Sequence, residues 1–304
     1  MARIPIAAGI MFCLLLVTMT HSQTDSDNAI LAPGAKLEKL ADGFKFTEGP
    51  ASDADGNIYF TDQPNDRIML WSVDGKLSTF MQPCGRSNGL CFDGTGHLIA
   101  CADDHNQLWS IDVKTREHTV LIKDYQGKLL NGPNDVWVRP DGGIYITDPM
   151  YWREYWKRGP KEIEIEGVYY LTPDRKTLTR VVSDMTRPNG IIGTPDGKMI
   201  YISDIDGKKT WSYTINADGS LSDKKFFCEM GSDGMTIDDA GNVYLTNHGV
   251  TAFDKTGKQV LHIDVKESWT GNICFGGKDR KLLFVTASRG IYGIRTKTAG
   301  VGSQ

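Results

Sequence analysis

One short pattern occurs six times along the chain, and the repeat leaves few folds open to it. The copies begin at Thr47-Glu48-Gly49-Pro50, Ser87-Asn88-Gly89-Leu90, Pro133-Asn134-Asp135-Val136, Pro188-Asn189-Gly190-Ile191, Ser232-Asp233-Gly234-Met235 and Thr270-Gly271-Asn272-Ile273. In each, a carboxylate or carboxamide precedes a short apolar strand, a turn and a second apolar strand, as in WVRPDGGIYITD. The leading residues Glu48, Asn88, Asn134, Asn189, Asp233 and Asn272 stand 39 to 55 residues apart. Periods of about 40 residues holding several short strands mark a propeller. Helical solenoids share such periods but need a 3.6-residue apolar rhythm, which is absent. Runs such as Ile144-Tyr145-Ile146-Thr147, bounded by Asp-Gly turns, read instead as strands.

Four strands fit within a repeat: the second predicts them at 89–92, 97–102, 107–112 and 117–122. The sixth repeat supplies only three, near 272–276, 281–286 and 290–295. Residues 36–41 are expected to donate the missing one, tying the chain ends together and removing an open edge. The predicted fold is an all-β, six-bladed propeller forming one domain over residues 36–297. Residues 24–35 read as a flexible lead-in and 298–304 as a tail.

At the N-terminus, Arg3 precedes an apolar run from Ile6 to Val17, followed by the polar stretch THSQTDSDN. This is the layout of a secretory signal peptide over residues 1–23, so export to the periplasm or the exterior is expected. Cys13 would leave with the leader. The remaining Cys84, Cys91, Cys101, Cys228 and Cys274 are odd in number and irregularly spaced, which is no disulfide framework. A formal charge of −4 does not suggest a nucleic-acid partner, which would leave a basic patch or stripe. After the leader no segment is long and apolar enough to span a bilayer. A monomer or weak dimer acting on a small molecule is expected.

The repeat also implies geometry. If the first strand of each blade lines a central channel, Glu48, Asn134, Asn189 and Asp233 bring oxygen atoms to the axis. Such oxygens suit a hard cation, and calcium accepts six to eight of them. Two carboxylates balance a double positive charge while two amides add ligands. No His or Cys stands at these places, which disfavours zinc or copper. The other reading is that Asn and Asp merely cap turns. The second strands return Asp62, Asp103, Asp148, Asp204 and Asn247 to the same edge. The longest repeat carries an insertion at 149–164, PMYWREYWKRGPKEIE, which should overhang the channel mouth.

The run LNGPNDVWVRPDGGIYITDPMYW, together with TEGP, RPNGI and SDGMTIDDAGNVYLT, resembles the regucalcin/gluconolactonase family of six-bladed propellers. The resemblance spans essentially the whole chain after the leader. It implies one divalent metal, usually calcium with Mg2+, Mn2+ or Zn2+ as alternatives, held by Glu48, Asn134, Asn189 and Asp233. It also implies hydrolysis of sugar lactones, or of acyl lactones or organophosphates on the same site. Asp233 is then the catalytic residue, as base, water-orienting ligand or nucleophile, with Asp135, Asp148 and Asp204 supporting the ligands. Asn88 and Asn272 are weaker candidates for substrate contact, and Asn134 is a further one. A non-enzymatic propeller with a structural calcium is the competing reading.

One departure stands out. Animal regucalcins carry a sugar-contacting Arg two positions before the third-blade Asn, where this chain has Gly132. Arg153, Lys157 or Arg158 on the insertion are possible replacements. Tyr151, Trp152, Tyr155 and Trp156 either cover the substrate or pack the insertion down. Gly85-Arg86-Ser87-Asn88-Gly89 spells GxSxG, but a strand rather than a helix follows, so it is no nucleophile elbow. Asp53-Ala54-Asp55-Gly56-Asn57 lacks the terminal Glu of a calcium loop and reads as a hairpin turn. His105 and His248 follow second strands and are expected near the rim.

Overall fold

The computed structural model describes Met1 and residues 27–301. Apart from Met1, the expected leader lies outside the described residues. Six four-stranded antiparallel sheets are arranged as blades around an axis. The innermost strands are Thr47–Ser52, Ser87–Phe92, Val136–Val138, Pro188–Gly193, Met235–Ile237 and Asn272–Gly276. The second repeat forms strands at Ser87–Phe92, Leu98–Ala102, Gln107–Ile111 and His118–Ile122, close to expectation. Glu38–Asp42 pairs with Gly290–Arg295, from Glu38 opposite Gly293 to Asp42 opposite Gly290, and so completes the last blade.

Local chemistry accounts for the hairpins. Asp53 accepts the amides of Asp55 and Asn57 at 3.0 and 2.9 Å, and Asp238 does the same for Ala240 and Asn242 at 3.1 and 2.8 Å. Such Asx turns reverse the chain using its own side chain. Inner strands are buried on both faces, whereas the outer strand Leu77–Met81 is exposed over its first half. Large side chains fill the seams between blades. Phe60 and Phe284 meet across the seam between first and last blade, ring centroids 5.7 Å apart. Burying one such ring stabilises by about 1.5–3 kcal/mol. Hydroxyls add a polar stitch from blade to blade: Thr61 Oγ1 donates to the Asn88 carbonyl at 3.1 Å, and Thr246 Oγ1 to that of Gly271 at 2.7 Å.

Both segments flanking the propeller are tied down where they are described. Within the expected flexible lead-in, Ile30 is buried against the last two blades, and the Ala32 amide donates to the Arg295 carbonyl. In the tail, Gly300 bridges to Asp238. Ile30 covers apolar surface of the last two blades, whereas the tail lies against inner-strand residues, the Val301 amide donating to the Ile237 carbonyl and Gly300 standing against Phe275. Cys84, Cys91, Cys101, Cys228 and Cys274 are all buried; Cys91 lies opposite Ile99 rather than Cys101. Among the described residues no helix is long and apolar enough to cross a membrane.

Backbone register corrects two alignments read from the sequence. The amides of Asn134, Asp233 and Gly271 each donate to the carbonyl of a second-strand threonine: Thr147, Thr246 and Thr286. One residue on, the amides of Asp135, Gly234 and Asn272 each donate to that threonine's hydroxyl. Asn272 therefore matches Asp135, and the leading place in the last blade is held by Gly271. Asp103 is displaced in the same sense. Thr47 lies opposite Asp62 and Pro188 opposite Asp204, but Ser87 lies opposite Ala102. Asp103 thus stands one residue beyond the place of Asp62 and Asp204, where blade 1 has Gln63.

Candidate active site at the channel mouth

The leading side chains do converge. Glu48, Asn88, Asn134, Asn189 and Asp233 are all buried at the start of adjacent inner strands. Asn189 Nδ2 donates to Asp233 Oδ1 and to the Tyr151 hydroxyl, both at 2.9 Å. Asp233 Oδ2 accepts from the Trp269 indole at 2.5 Å. Glu48 Oε2 accepts the Gly49 amide at 3.1 Å, and Glu48 Oε1 lies against Gly271. Both amide protons of Asn189 are engaged, and its Oδ1 is buried with no partner among the described residues.

Electrostatics set this cluster apart from a set of turn caps. Burial, then Asp233 and Asp135, holds the Glu48 carboxyl well above its ordinary range. Burial also raises Asp233, against the opposing donors Trp269 and Asn189. Asp135 is pushed up to about 7, first by burial; its own Val136 amide, at 3.0 Å, pulls the other way, as does Asn272. No lysine or arginine forms an ion pair with Glu48, Asp135 or Asp233 among the described residues. Buried carboxylates without a counter-charge are costly, and a cation is the usual remedy. The orphaned Asn189 oxygen fits the same group. No three His, Cys, Asp or Glu side chains form a metal cluster among the described residues, so a cation here depends on amide oxygens as well. That composition suits a hard ion.

Supporting carboxylates act on the backbone. Asp148 accepts the amides of Asn131 and Gly132 at 2.9 and 2.8 Å, fixing the loop into Asn134. Burial pushes this carboxyl up to about 7. Asp204 takes the amides of Thr186 and Arg187, both at 2.9 Å, ahead of Asn189. Asp103, freed from that duty by its one-residue offset, faces the mouth instead. It accepts from the Tyr155 hydroxyl, and from Gln63 Nε2 at 3.3 Å. Arg153 Nε lies 3.3 Å away but out of line for a hydrogen bond, so that contact is Coulombic. Burial pushes Asp103 up to about 6 against the pull of Arg153 and Tyr155.

The insertion 149–164 folds across this mouth. Tyr151 reaches Asn189, Tyr155 reaches Asp103, and Trp156 is buried with its indole donating to the Asp103 carbonyl at 2.9 Å. Trp152 points outward, 61% exposed, and meets Trp156 edge-on. Arg158 bonds the carbonyls of Leu130 and Asn131 at 2.7 and 2.9 Å. A Cβ on Gly132 would lie 2.9 Å from Asp103 and 3.1 Å from Trp156, so the insertion fills the space that a larger residue would use.

Trp269 is the site residue that the sequence reading missed. Its signal was nevertheless in the repeat, since Phe46, Arg86, Gly132, Arg187, Gly231 and Trp269 all precede a leading residue by two. Arg86 stacks over Tyr155 and Arg187 over Tyr151, at 4.4 and 5.0 Å, so three members of that set reach the mouth. His248 is exposed and stands edge-on to Trp269; His105 stacks on Trp109. A cavity of about 430 Å³ opens at the opposite end of the channel, between the far hairpins. Asp135 and Asn272 line it but Glu48, Asn189 and Asp233 do not, so it is separate from the mouth.

Comparison with known proteins agrees with this geometry. Residues 46–289 match the family described as the SMP-30/Gluconolactonase/LRE-like region. A gluconolactonase of Zymomonas mobilis is 29% identical, over 90% of this chain and 85% of its own. The solved gluconolactonase of Xanthomonas campestris is 27% identical with a TM-score of 0.81, covering 88% of this chain and 91% of that one. Diisopropyl-fluorophosphatase of Loligo vulgaris is 26% identical over 72% of this chain and 77% of its own. A family match across most of the propeller, motifs and site included, establishes that the chain belongs to the SMP-30/gluconolactonase/LRE-like family.

Proposed function

We propose that this protein hydrolyses a lactone, of the glucono-1,5-lactone type, at a calcium-dependent site on the channel axis. The observation that carries the reading is the buried Glu48–Asp233 pair beside the unpartnered Asn189 oxygen, in a chain whose family includes named gluconolactonases. Glu48, Asn134, Asn189 and Asp233 would hold the ion. When bound, it supplies positive charge that polarises a carbonyl and offsets the burial of the carboxylates.

The chain's own residues supply the rest. Trp269 and Asn189 fix both oxygens of Asp233, so that carboxylate is oriented before substrate arrives. Asp233 orients the attacking water and receives its proton. A Glu48 carboxylate kept ionised by that ion would place negative charge beside Asp233, which favours proton uptake there. Asp148 and Asp204 hold the strand starts carrying Asn134 and Asn189. The closed insertion excludes bulk water, which strengthens each of these interactions. We assign the activity to the exterior or periplasm, on the strength of the Ile6–Val17 run.

The test is acid release from glucono-1,5-lactone by the purified protein, with chelator and then with calcium restored. A rate indifferent to chelation would sink the metal-dependent reading. The same assay run on acyl lactones and a fluorophosphate places the substrate, since a fluorophosphatase is among the relatives.

A further inference from the structure

The insertion contributes more than a cover. Tyr151 follows the strand Ile144–Asp148 by three residues, and that strand is anchored by the pairing of Asp148 with Gly167. Its ring is held between two guanidinium groups, Arg187 at 5.0 Å and Arg153 at 5.5 Å. Arg187 is itself fixed by Glu166 at 3.4 Å and Asp206 at 3.1 Å. The hydroxyl oxygen accepts one proton of Asn189 Nδ2, whose other proton goes to Asp233. Asn189 therefore has no use for the phenolic proton. No acceptor takes it among the described residues, while Asp233 Oδ2 is engaged by Trp269. A rigidly held O–H donor stands beside the reacting carboxylate with nothing to donate to.

Hydrolysis of an ester develops negative charge on the carbonyl oxygen, and a preorganised donor aimed at that oxygen lowers the barrier. We propose that the Tyr151 hydroxyl donates a hydrogen bond to the lactone carbonyl oxygen, making it a catalytic residue supplied by the insertion. The assignment rests on the lactonase reading above. No bond to Tyr151 forms or breaks; water adds to the carbonyl carbon as Asp233 takes its proton, and the ring C–O bond then opens, its oxygen taking that proton back to release the hydroxy acid. Arrival of the carbonyl gives the spare proton its acceptor while Asn189 stays bonded to the same phenol oxygen.

Steady-state kinetics of the full chain decide it, with calcium affinity by titration calorimetry as a readout independent of turnover. Removal of one such donor typically costs about 10²–10³-fold in kcat. Tyr151→Phe keeps the ring between its arginines and is expected to lose that much, with KM within about threefold and calcium affinity unchanged. Tyr151→Ala should also raise KM, because the ring is gone. Wild-type kcat in Tyr151→Phe, or a loss confined to KM, overturns the assignment. A kcat loss that tracks weaker calcium binding overturns it too, and makes the hydroxyl a support for Asn189. A wild type inactive on every lactone overturns the hydrolase reading, and this assignment with it; an active wild type with an equally active Tyr151→Phe overturns the assignment alone.

Discussion

Two rings of residues lie one position apart along the inner strands, and they could hardly differ more. The upper ring, Glu48, Asn88, Asn134, Asn189, Asp233 and Gly271, is polar in five of six places. The lower ring, Gly49, Gly89, Asp135, Gly190, Gly234 and Asn272, is glycine in four. Sterics explain the second. A Cβ on Gly234 would stand 2.0 Å from the Asn272 carboxamide, and one on Gly49 would stand 2.1 Å from the Asn88 carbonyl. Adjacent strands approach too closely there for side chains. Only Asp135 and Asn272 carry any, and each curls back so that its Oδ1 accepts the amide of the next residue, Val136 or Ile273. One ring presents chemistry and the next makes room for it.

Breaking the upper ring should give the largest effect on activity. Asp233→Asn keeps shape and the Trp269 neighbour but removes the charge and the proton acceptor. A loss of about 10²–10⁴-fold in kcat is expected, the usual range for a general base. The thermal midpoint should stay within a few degrees. Glu48→Gln should behave alike, with weaker calcium binding as its first symptom. Breaking the lower ring should reverse the balance. Gly234→Ala forces Asn272 or the strand to move, at about 1–3 kcal/mol of stability for overpacking, read from urea unfolding. The protein that remains folded should keep far more activity than Asp233→Asn. Equal activity losses in the two variants would mean that the rings are not separable.

The same one-residue offset explains what could be read from the sequence. Turn residues, β-branched runs and the repeat period are local signals, so the blades, the closing strand and the leading residues Glu48, Asn134, Asn189 and Asp233 were all legible. Register across a bulge is not local. Inner strands shift register between Glu48 and Ala51 and between Ser87 and Leu90, so motif spacing alone sets Asn272 and Asp103 one step out. Trp269 escaped notice because it lies in an irregular loop, and only the closed ring brings it to Asp233. Tyr151 was legible as a residue of the overhanging insertion, but its bond to Asn189 depends on how that insertion folds.

Asp103 contrasts in the same way with Asp204, whose grip on the amides of Thr186, Arg187 and Gly207 ties it to its own loops. Burial raises Asp103 to about 6 from an ordinary value of 3.8. A folded pKa above the unfolded one means that the native state holds the proton more tightly. This group's contribution to stability is therefore fullest below about pH 3.8 and is lost as pH rises through about 6. Asp103→Asn carries no titrating proton and should lack that slope. Urea unfolding between pH 4 and 7 should show the wild type losing ground to the variant by up to about 3 kcal/mol, an upper figure from linkage. Parallel curves would show that its partners, not burial, govern the group. KM should rise a few-fold in the variant, because Arg153 and Tyr155 lose their charged anchor.

The smallest effect belongs to the part of the insertion that faces away. Trp152 and Tyr151 are neighbours in sequence, yet one is 61% exposed and touches Trp156, while the other reaches Asn189. An exposed ring with one edge-on partner contributes about 0.5–1.5 kcal/mol beyond its buried area, and here it acts on the insertion rather than on the substrate. Trp152→Ala is therefore expected to change KM by less than about threefold and to leave kcat alone, since about 1.4 kcal/mol corresponds to tenfold. A longer substrate offers a sharper version of the test. If an acyl lactone extends past the insertion, Trp152→Ala should weaken that substrate while leaving glucono-1,5-lactone untouched. A large loss on both would place Trp152 over the mouth, and the insertion would have to rotate to bring it there, breaking the Tyr151–Asn189 bond as it did so.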